Sequence, residues 1–326
     1  MNRSSVHTLV VSVAVSVLMA GCTPSVEETP AEPGKPAAEA AVAAEQRPPD
    51  AEAPVAAEQK PPAEEKPPQR PGEEEKSLEE MLQELMKLKN PGIKGQVVIR
   101  SHPPGTIRVV GVNDPAVTDI SPLRGFPLVA LDLRGCRVGR IDALKGMPLV
   151  EVYLEENPIE DIGPLQGAPL QKLYLSNTKV KDLGPLRGAD QLTELNLLGT
   201  KVSDLGPLEK SPLKMLWLTG CPVRDLAPLQ NIPTLVSLTA ADTKVSDISP
   251  LKGHPLQRLH IAGTEVTDLS PLEWMNLTRL VFTPGKITKG IDRARNMRGL
   301  REIGPSFEQR MQPSQFWELF DRGKFK

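Results

Sequence analysis

From Val117 to Lys286 the apolar positions recur with a period of 21 or 22 residues. Eight units align, among them "VTDISPLRGFPLVALDLRGCR", "IEDIGPLQGAPLQKLYLSNTK", "VSDLGPLEKSPLKMLWLTGCP" and "VTDLSPLEWMNLTRLVFTPGK". Leucines two positions apart share one face of a strand. In "LVALDLRGC", Leu131 and Leu133 therefore point to one side, and Ala130, Asp132 and Arg134 to the other. Leu128 and Val138 turn inward from the flanking arcs. One unit cannot bury its own apolar side, but a stack of parallel strands about 4.8 Å apart makes a continuous core. The return arc carries Ser-Pro-Leu or Gly-Pro-Leu, with Ala143 replacing the Pro in the second unit. Ser or Gly suits a helix cap and Pro the first helical position, which predicts one short 3-10 or α turn per unit. A partial unit precedes the eight, through Ile107, Val110 and Val112.

The motif L-x-x-L-x-L-x-x-(N/C/T) in unit after unit resembles the leucine-rich repeat. Its short "DLxPL" variant resembles the repeats of internalins. The resemblance covers more than half of the chain. It implies an α/β fold: a leucine-rich-repeat solenoid with a parallel β-sheet on the concave face, short 3-10 or helical turns on the convex face, and helical caps.

Two columns that look chemical are explained by the repeat. Asp119, Arg140, Asp161, Asp182, Asp204, Asp225, Asp247 and Asp268 stand one per unit before the convex turn. A carboxylate column could hold calcium, but capping of backbone N–H groups is the reading favoured by its place. Cys136 and Cys221 align with Asn157, Thr178, Thr200, Thr243 and Thr264, the position that carries Asn in leucine-rich repeats and takes Cys as a substitute. The two cysteines are four units apart, about 19 Å at strand spacing. A disulfide needs Cα atoms within about 7 Å, so they are read as small buried residues.

Outside the repeats, "SLEEMLQELMKLKNPG" predicts a helix opened by a Ser77/Glu80 capping box and ended by Pro91-Gly92. Leu78, Met81, Leu82, Leu85 and Leu88 are expected on its core-facing side. After Lys286, "TKGIDRARNMRGLREIG" predicts a helix with Ile291 and Met297 inward, then a last strand through Leu300 and Ile303. "PSQFWELFDRGKF" predicts a closing helix with Phe316, Trp317 and Phe320. Residues 77–116 are thus an N-terminal cap with the partial repeat, 117–286 the eight repeats, and 287–326 a C-terminal cap, as the open ends of a solenoid require.

The first 21 residues read as an export signal. Arg3 precedes an apolar run from Leu9 to Ala20, too short to span a bilayer about 30 Å thick. The run ends in "LMAGC", which resembles a bacterial lipobox and implies lipidation of Cys22. Met19 stands where Leu is usual. Several acyl chains anchor far more firmly than one. Thr23 is not the Asp associated with inner-membrane retention in lipoproteins, so the outer membrane or cell surface is favoured. Residues 22–76 form a tether: positions 23–76 hold 12 Pro and 13 acidic against 6 basic residues, and no Leu, Ile, Phe, Met, Tyr or Trp. Such a segment cannot offset the entropy of ordering it.

The chain has 326 residues, a net charge of −2 and only 3% aromatics. That charge gives no reason to expect nucleic acid as a partner. The concave face is where such solenoids bind. Its central column is Asp132, Tyr153, Tyr174, Asn196, Trp217, Thr239, His260 and Val281, which takes both tyrosines of the chain and one of three tryptophans. Exposed strand positions favour aromatics in any case, but Tyr and Trp are also the usual interface anchors. One flanking column runs Ala130, Glu151, Lys172, Glu194, Met215, Ser237, Arg258, Arg279; the other Arg134, Glu155, Ser176, Leu198, Thr219, Ala241, Ala262, Thr283. The candidate ligand-binding residues are Asp132, Tyr153, Tyr174, Asn196, Trp217, His260, Arg258 and Arg279. They fit an elongated partner with an apolar centre and an acidic end.

Catalysis is not expected. The four histidines are scattered, no His/Cys cluster has metal spacing, and there is no nucleophile elbow, Gly-rich phosphate loop, HRD or DFG. No cofactor is implied. The expected function is recognition of another protein by a lipid-anchored, monomeric solenoid at the bacterial envelope. Glycan or peptidoglycan binding, and a structural or adhesive spacer, remain alternatives.

Overall fold

The computed structural model describes residues 76–325. The signal segment, the tether and Cys22 lie outside the described residues.

Eleven strands form one sheet in strict chain order. They are β1 (Val98–Ser101), β2 (Ile107–Gly111), β3 (Ala130–Asp132), β4 (Glu151–Tyr153), β5 (Lys172–Tyr174), β6 (Glu194–Asn196), β7 (Met215–Trp217), β8 (Ser237–Thr239), β9 (Arg258–Ile261), β10 (Arg279–Phe282) and β11 (Glu302–Gly304). β1 pairs antiparallel with β2, a strand the repeat pattern did not anticipate because it has no copy. All later pairs are parallel. A parallel connection needs a return crossing, and here each carries a 3-10 turn, from Ser121–Leu123 in the first unit to Ser270–Leu272 in the eighth.

The interior is a ladder of equivalent leucines. In the third unit Ile159, Ile162, Leu165, Leu170, Leu173 and Leu175 are all at most 1% exposed. Each such side chain contributes about 1.5–3 kcal/mol of burial. Adjacent layers share walls, so the stack is stable where one unit is not.

Seven aspartates cap the convex turns. Asp119, Asp161, Asp182, Asp204, Asp225, Asp247 and Asp268 each accept from the backbone N–H two residues on, at 2.7–2.8 Å. Ser or Gly is therefore the first residue of the turn and not its cap. The cap position is held by a buried Ile or Leu, such as Ile120 or Leu183. That side chain belongs to the core, so the acceptor comes from the residue before it. Arg140 forgoes this bond and pairs with Asp142 instead.

Helix α1 (Leu78–Lys89) has the predicted capping box: Glu80 N–H donates to Ser77 Oγ at 3.2 Å and Ser77 N–H to Glu80 Oε2 at 2.9 Å. Its buried face differs from the expected one. Leu82 and Met86 are at most 1% exposed and Leu78 packs beside them, whereas Met81, Leu85 and Leu88 are 43%, 46% and 74% exposed. α1 lies against β1 and the first 3-10 turn, which select the stripe spaced by four residues. The other three leave the core about a quarter turn around the helix. Asn90 then locks the helix end to the first repeat. Its Nδ2 donates to Met86 O and Asp119 O, and its Oδ1 accepts from Thr118 and Asp119 N–H, all within 2.8–2.9 Å.

At the other end, α2 is only Ile291–Arg295, shorter than the sequence indicated. Helix α3 (Pro313–Asp321) presses Phe316 into the last layer, fully buried, with its ring centroid 5.8 Å from that of Phe282.

Candidate functional site

The strand register aligns Asp132, Tyr153, Tyr174, Asn196, Trp217, Thr239, His260 and Val281 in one row on the outer sheet face. Ala130 through Arg279 form the row beside it, as the repeat alignment requires. What the rows do as surfaces follows from which side chains touch.

Tyr153 and Tyr174 have ring centroids 5.1 Å apart at 37°, and Tyr174 and Trp217 lie 6.0 Å apart at 40°. Both spacings are those of favourable tilted aromatic pairs. Asn196 lies between Tyr174 and Trp217 in register, yet the rings meet across it. Its Oδ1 accepts from Leu198 N–H at 3.1 Å, so the amide is engaged at the strand end. Tyr153 Oη donates to Glu151 Oε2 at 3.3 Å and Tyr174 Oη to Glu194 Oε2 at 2.7 Å. Burial, with those carboxylates adding to it, pushes both phenols well above their ordinary range.

The N-terminal end of the face is charged and internally paired. Asp132 takes Arg134 in a fork, Nε at 2.9 Å and Nη2 at 2.7 Å. Arg134 also lies over the Tyr153 ring at 5.6 Å. Glu151 is 1% exposed, and its Oε1 lies 3.0 Å from Lys172 Nζ without hydrogen-bond geometry. Glu155 Oε2 is buried with no hydrogen-bond partner, and burial pushes this carboxyl up to about 7.

The C-terminal end is not the open row the alignment implied. Val281 is fully buried, because the chain after β11 doubles back over it. Met311 bridges antiparallel to Ile303. Gly304 sits so close beneath this return that a Cβ there would come within 2.4 Å of Gln309 O. The return places Phe307 on His260, centroids 6.2 Å apart at 25°. Arg310 lies 3.8 Å from the Phe307 ring and Arg279 5.8 Å from it. Both guanidinium groups pair with Glu302. Burial depresses the His260 imidazole below its ordinary value. Phe307 and Arg310 are thus members of the face that the repeat pattern missed. The only signal was the Gly304-Pro305 break followed by an isolated Phe.

Between Trp217 and Phe307 the row opens into a cavity of about 300 Å³ over Thr239, bordered by Ser237, Arg258 and Arg279. A wider hollow of about 660 Å³ at the C-terminal cap, between Gln309 and Phe325, shares Arg310 with this face and has no acidic, His or Cys lining.

The remaining reactive types are structural. Cys136 Sγ donates to Val112 O at 3.4 Å and Cys221 Sγ to Leu197 O at 3.0 Å, both in the neighbouring turn. Asn157 does the same with Leu133 O at 2.7 Å, so thiol and amide play one role. Burial pushes the Cys136 thiol up to about 11 and raises Cys221 as well. Among the described residues no group of three or more His, Cys, Asp or Glu is placed to hold a metal ion. No described helix is long and apolar enough to cross a membrane.

Comparison with known proteins agrees with this architecture. Residues 170–210 match the family of Leucine Rich repeats (2 copies). Among solved structures, an internalin (inlF) of Listeria monocytogenes is 26% identical, with 60% of each chain covered and a TM-score of 0.52. The match therefore spans about three fifths of that internalin's length. Internalin C2 (inlC2) of the same organism is 30% identical, covering 54% of this chain and 81% of its own, with a TM-score of 0.53. No curated protein matches the sequence.

Proposed function

We propose that this chain, a leucine-rich-repeat protein structurally similar to the internalins of Listeria monocytogenes, binds another protein along the outer face of its sheet and catalyses no reaction. The observation that carries this is the contiguous stack of Tyr153, Tyr174 and Trp217 on the outer face of the sheet. Such amphipathic rings, held rigid before contact, anchor interfaces at low entropic cost. The fold supports the reading, since leucine-rich-repeat solenoids present this face to partners.

A protein partner is favoured over a glycan by the geometry of the rings. Sugar stacking wants flat ring faces and free polar groups beside them. Here the rings tilt into one another, and both tyrosine hydroxyls already donate to Glu151 and Glu194. Asp132 and Glu151 are paired within the face to Arg134 and Lys172, and Arg279 to Glu302. Arg258, with no ion-pair partner among the described residues, suits the acidic end of an elongated partner whose apolar part meets the rings. The lipobox-like "LMAGC" would place this monomer on a lipid anchor at Cys22, at the outer membrane or cell surface, with residues 23–76 as tether.

Crosslinking capture with the full chain as bait, run against envelope proteins and against isolated cell wall, tests the reading. A protein captured by the wild type and lost with a Tyr153, Tyr174 and Trp217 triple alanine variant is expected. Retention by cell wall alone would favour a glycan. Capture indifferent to the triple variant would remove the face from consideration. Acylation at Cys22 is checked by mass spectrometry of the N-terminal peptide and its loss in Cys22→Ala.

A further inference from the structure

The aromatic row changes character after Trp217. On one side of it the Tyr174 and Trp217 rings meet across Asn196, with centroids 6.0 Å apart. On the other, Thr239 is too short to bridge, and the next ring is Phe307, supplied from the C-terminal cap and stacked on His260. The result is the cavity of about 300 Å³ with Trp217 as one wall, Phe307 and His260 as the other, and Thr239 between them. That volume is at the lower end for ligand sites, about the room for one large side chain.

The opening is held from outside. Arg310 lies against the Phe307 ring at 3.8 Å and is itself tied to Glu302 at 3.2 Å. Arg279 is tied to the same carboxylate. Phe307 is thus braced against His260 and cannot fall into the gap without breaking these contacts. A wall that stays upright keeps the cavity formed before any ligand arrives.

Of the two arginines at the rim, only Arg279 has an anion. Arg258 Nε donates to Ser237 Oγ at 3.2 Å, and its Nη2 reaches Met215 Sδ at 3.7 Å. No carboxylate pairs with Arg258 among the described residues. A half-buried guanidinium left with a hydroxyl and a thioether has lost hydration without gaining a counter-charge. A ligand carboxylate would restore it, and the planar fork suits two parallel hydrogen bonds.

We propose that the Trp217–Thr239–Phe307 cavity is a subsite for an acidic peptide segment, which inserts one aromatic side chain between Trp217 and Phe307 and sets a neighbouring carboxylate on Arg258. The inference rests on the reading of this face as protein-binding and names what its C-terminal half selects. Charge complementarity fixes the acid, and the ring walls fix the aromatic in an offset stack.

The three tryptophans make the site directly observable: the Trp217 indole N–H reports on the cavity, with Trp274 and Trp317 as internal controls. The full chain, labelled at Trp, is titrated with a blocked peptide containing Phe-Asp and with its Phe-Asn, Phe-Lys and Ala-Asp counterparts. The Phe-Asp peptide is expected to move the Trp217 signal alone. Phe-Asn is expected to bind about tenfold or more weakly, the scale of a charge-assisted hydrogen-bond pair, and Arg258→Gln to cause the same loss. Thr239→Leu fills the gap and should abolish the shift, while Thr239→Ser keeps the gap and should retain it. Equal affinity for Phe-Asp and Phe-Asn, or an unchanged titration in Arg258→Gln, overturns the proposal. So does an equal response to acetate alone, which would mark a general anion site. None of these variants touches Tyr153 or Tyr174. If a Tyr153/Tyr174 double alanine variant loses its protein partner while Trp217 ignores Phe-Asp, the face reading stands and the subsite falls. If neither responds, both fall.

Discussion

Tyr174 and Trp217 touch across a strand that lies between them: their ring centroids are 6.0 Å apart, although Asn196 separates them in the sheet register. Two strand spacings amount to about 9.6 Å at the backbone, so the side chains lean toward each other over the smaller residue. The pair should be worth about 0.5–1.5 kcal/mol beyond area burial. A double-mutant cycle with Tyr174→Leu and Trp217→Leu, read from urea midpoints, measures that coupling. A coupling near zero would mean the rings are independent anchors.

Glu155 gives the fold a pH dependence. Its folded-state value of about 7 lies above the ordinary 4.5, because burial penalises the charged form. The stability it contributes is therefore fully present below about pH 4.5 and is lost as pH rises through about 7. By pH 8 the wild type should trail Glu155→Gln by on the order of 2 kcal/mol relative to their difference at pH 4.5. Paired urea titrations at the two pH values check the sign and the size.

The N-terminal cap separates two kinds of leucine. Leu82→Ala should cost about 2–5 kcal/mol, as a buried truncation does, whereas Leu88→Ala should stay within about 0.5 kcal/mol despite the same residue type. Asn90→Ala strips Thr118 and Asp119 of their N–H acceptor inside the fold, at a cost of about 2–4 kcal/mol. Thermal or urea unfolding of the three variants gives the ranking.

Trp274 is 92% exposed and holds φ at 67°, in the place where Gly125, Gly146, Gly167, Gly188 and Gly253 adopt the same left-handed turn in other units. An L side chain pays about 1–2 kcal/mol for that conformation, and this one recovers almost nothing by burial. Trp274→Gly should raise stability by up to about 1 kcal/mol after glycine's larger entropy loss on folding. Trp274→Ala keeps the left-handed strain and should give no such gain. A Gly variant no more stable than Ala would show the turn is relaxed.

How much was legible in the sequence depends on whether a residue has copies. Tyr153, Tyr174 and Trp217 could be placed in one row because equivalent positions of successive units stack in register, so aligning the units draws the rows. The Asp caps and the Cys/Asn position were readable for the same reason. β1, the buried face of α1, Asn90 and Phe307 have no equivalents in other units, and no period announces them.

Periodicity is therefore enough to set the stack: which repeat leucines face inward and which residues share a row. How the rows end and where they open follow from the folded cap. The return after β11 buries Val281, stands Phe307 over His260, and leaves Thr239 as the gap beside Arg258. Those outcomes rest on single, non-repeating contacts between the cap and the sheet, and side-chain packing of that kind is set by three-dimensional fit and not by periodicity.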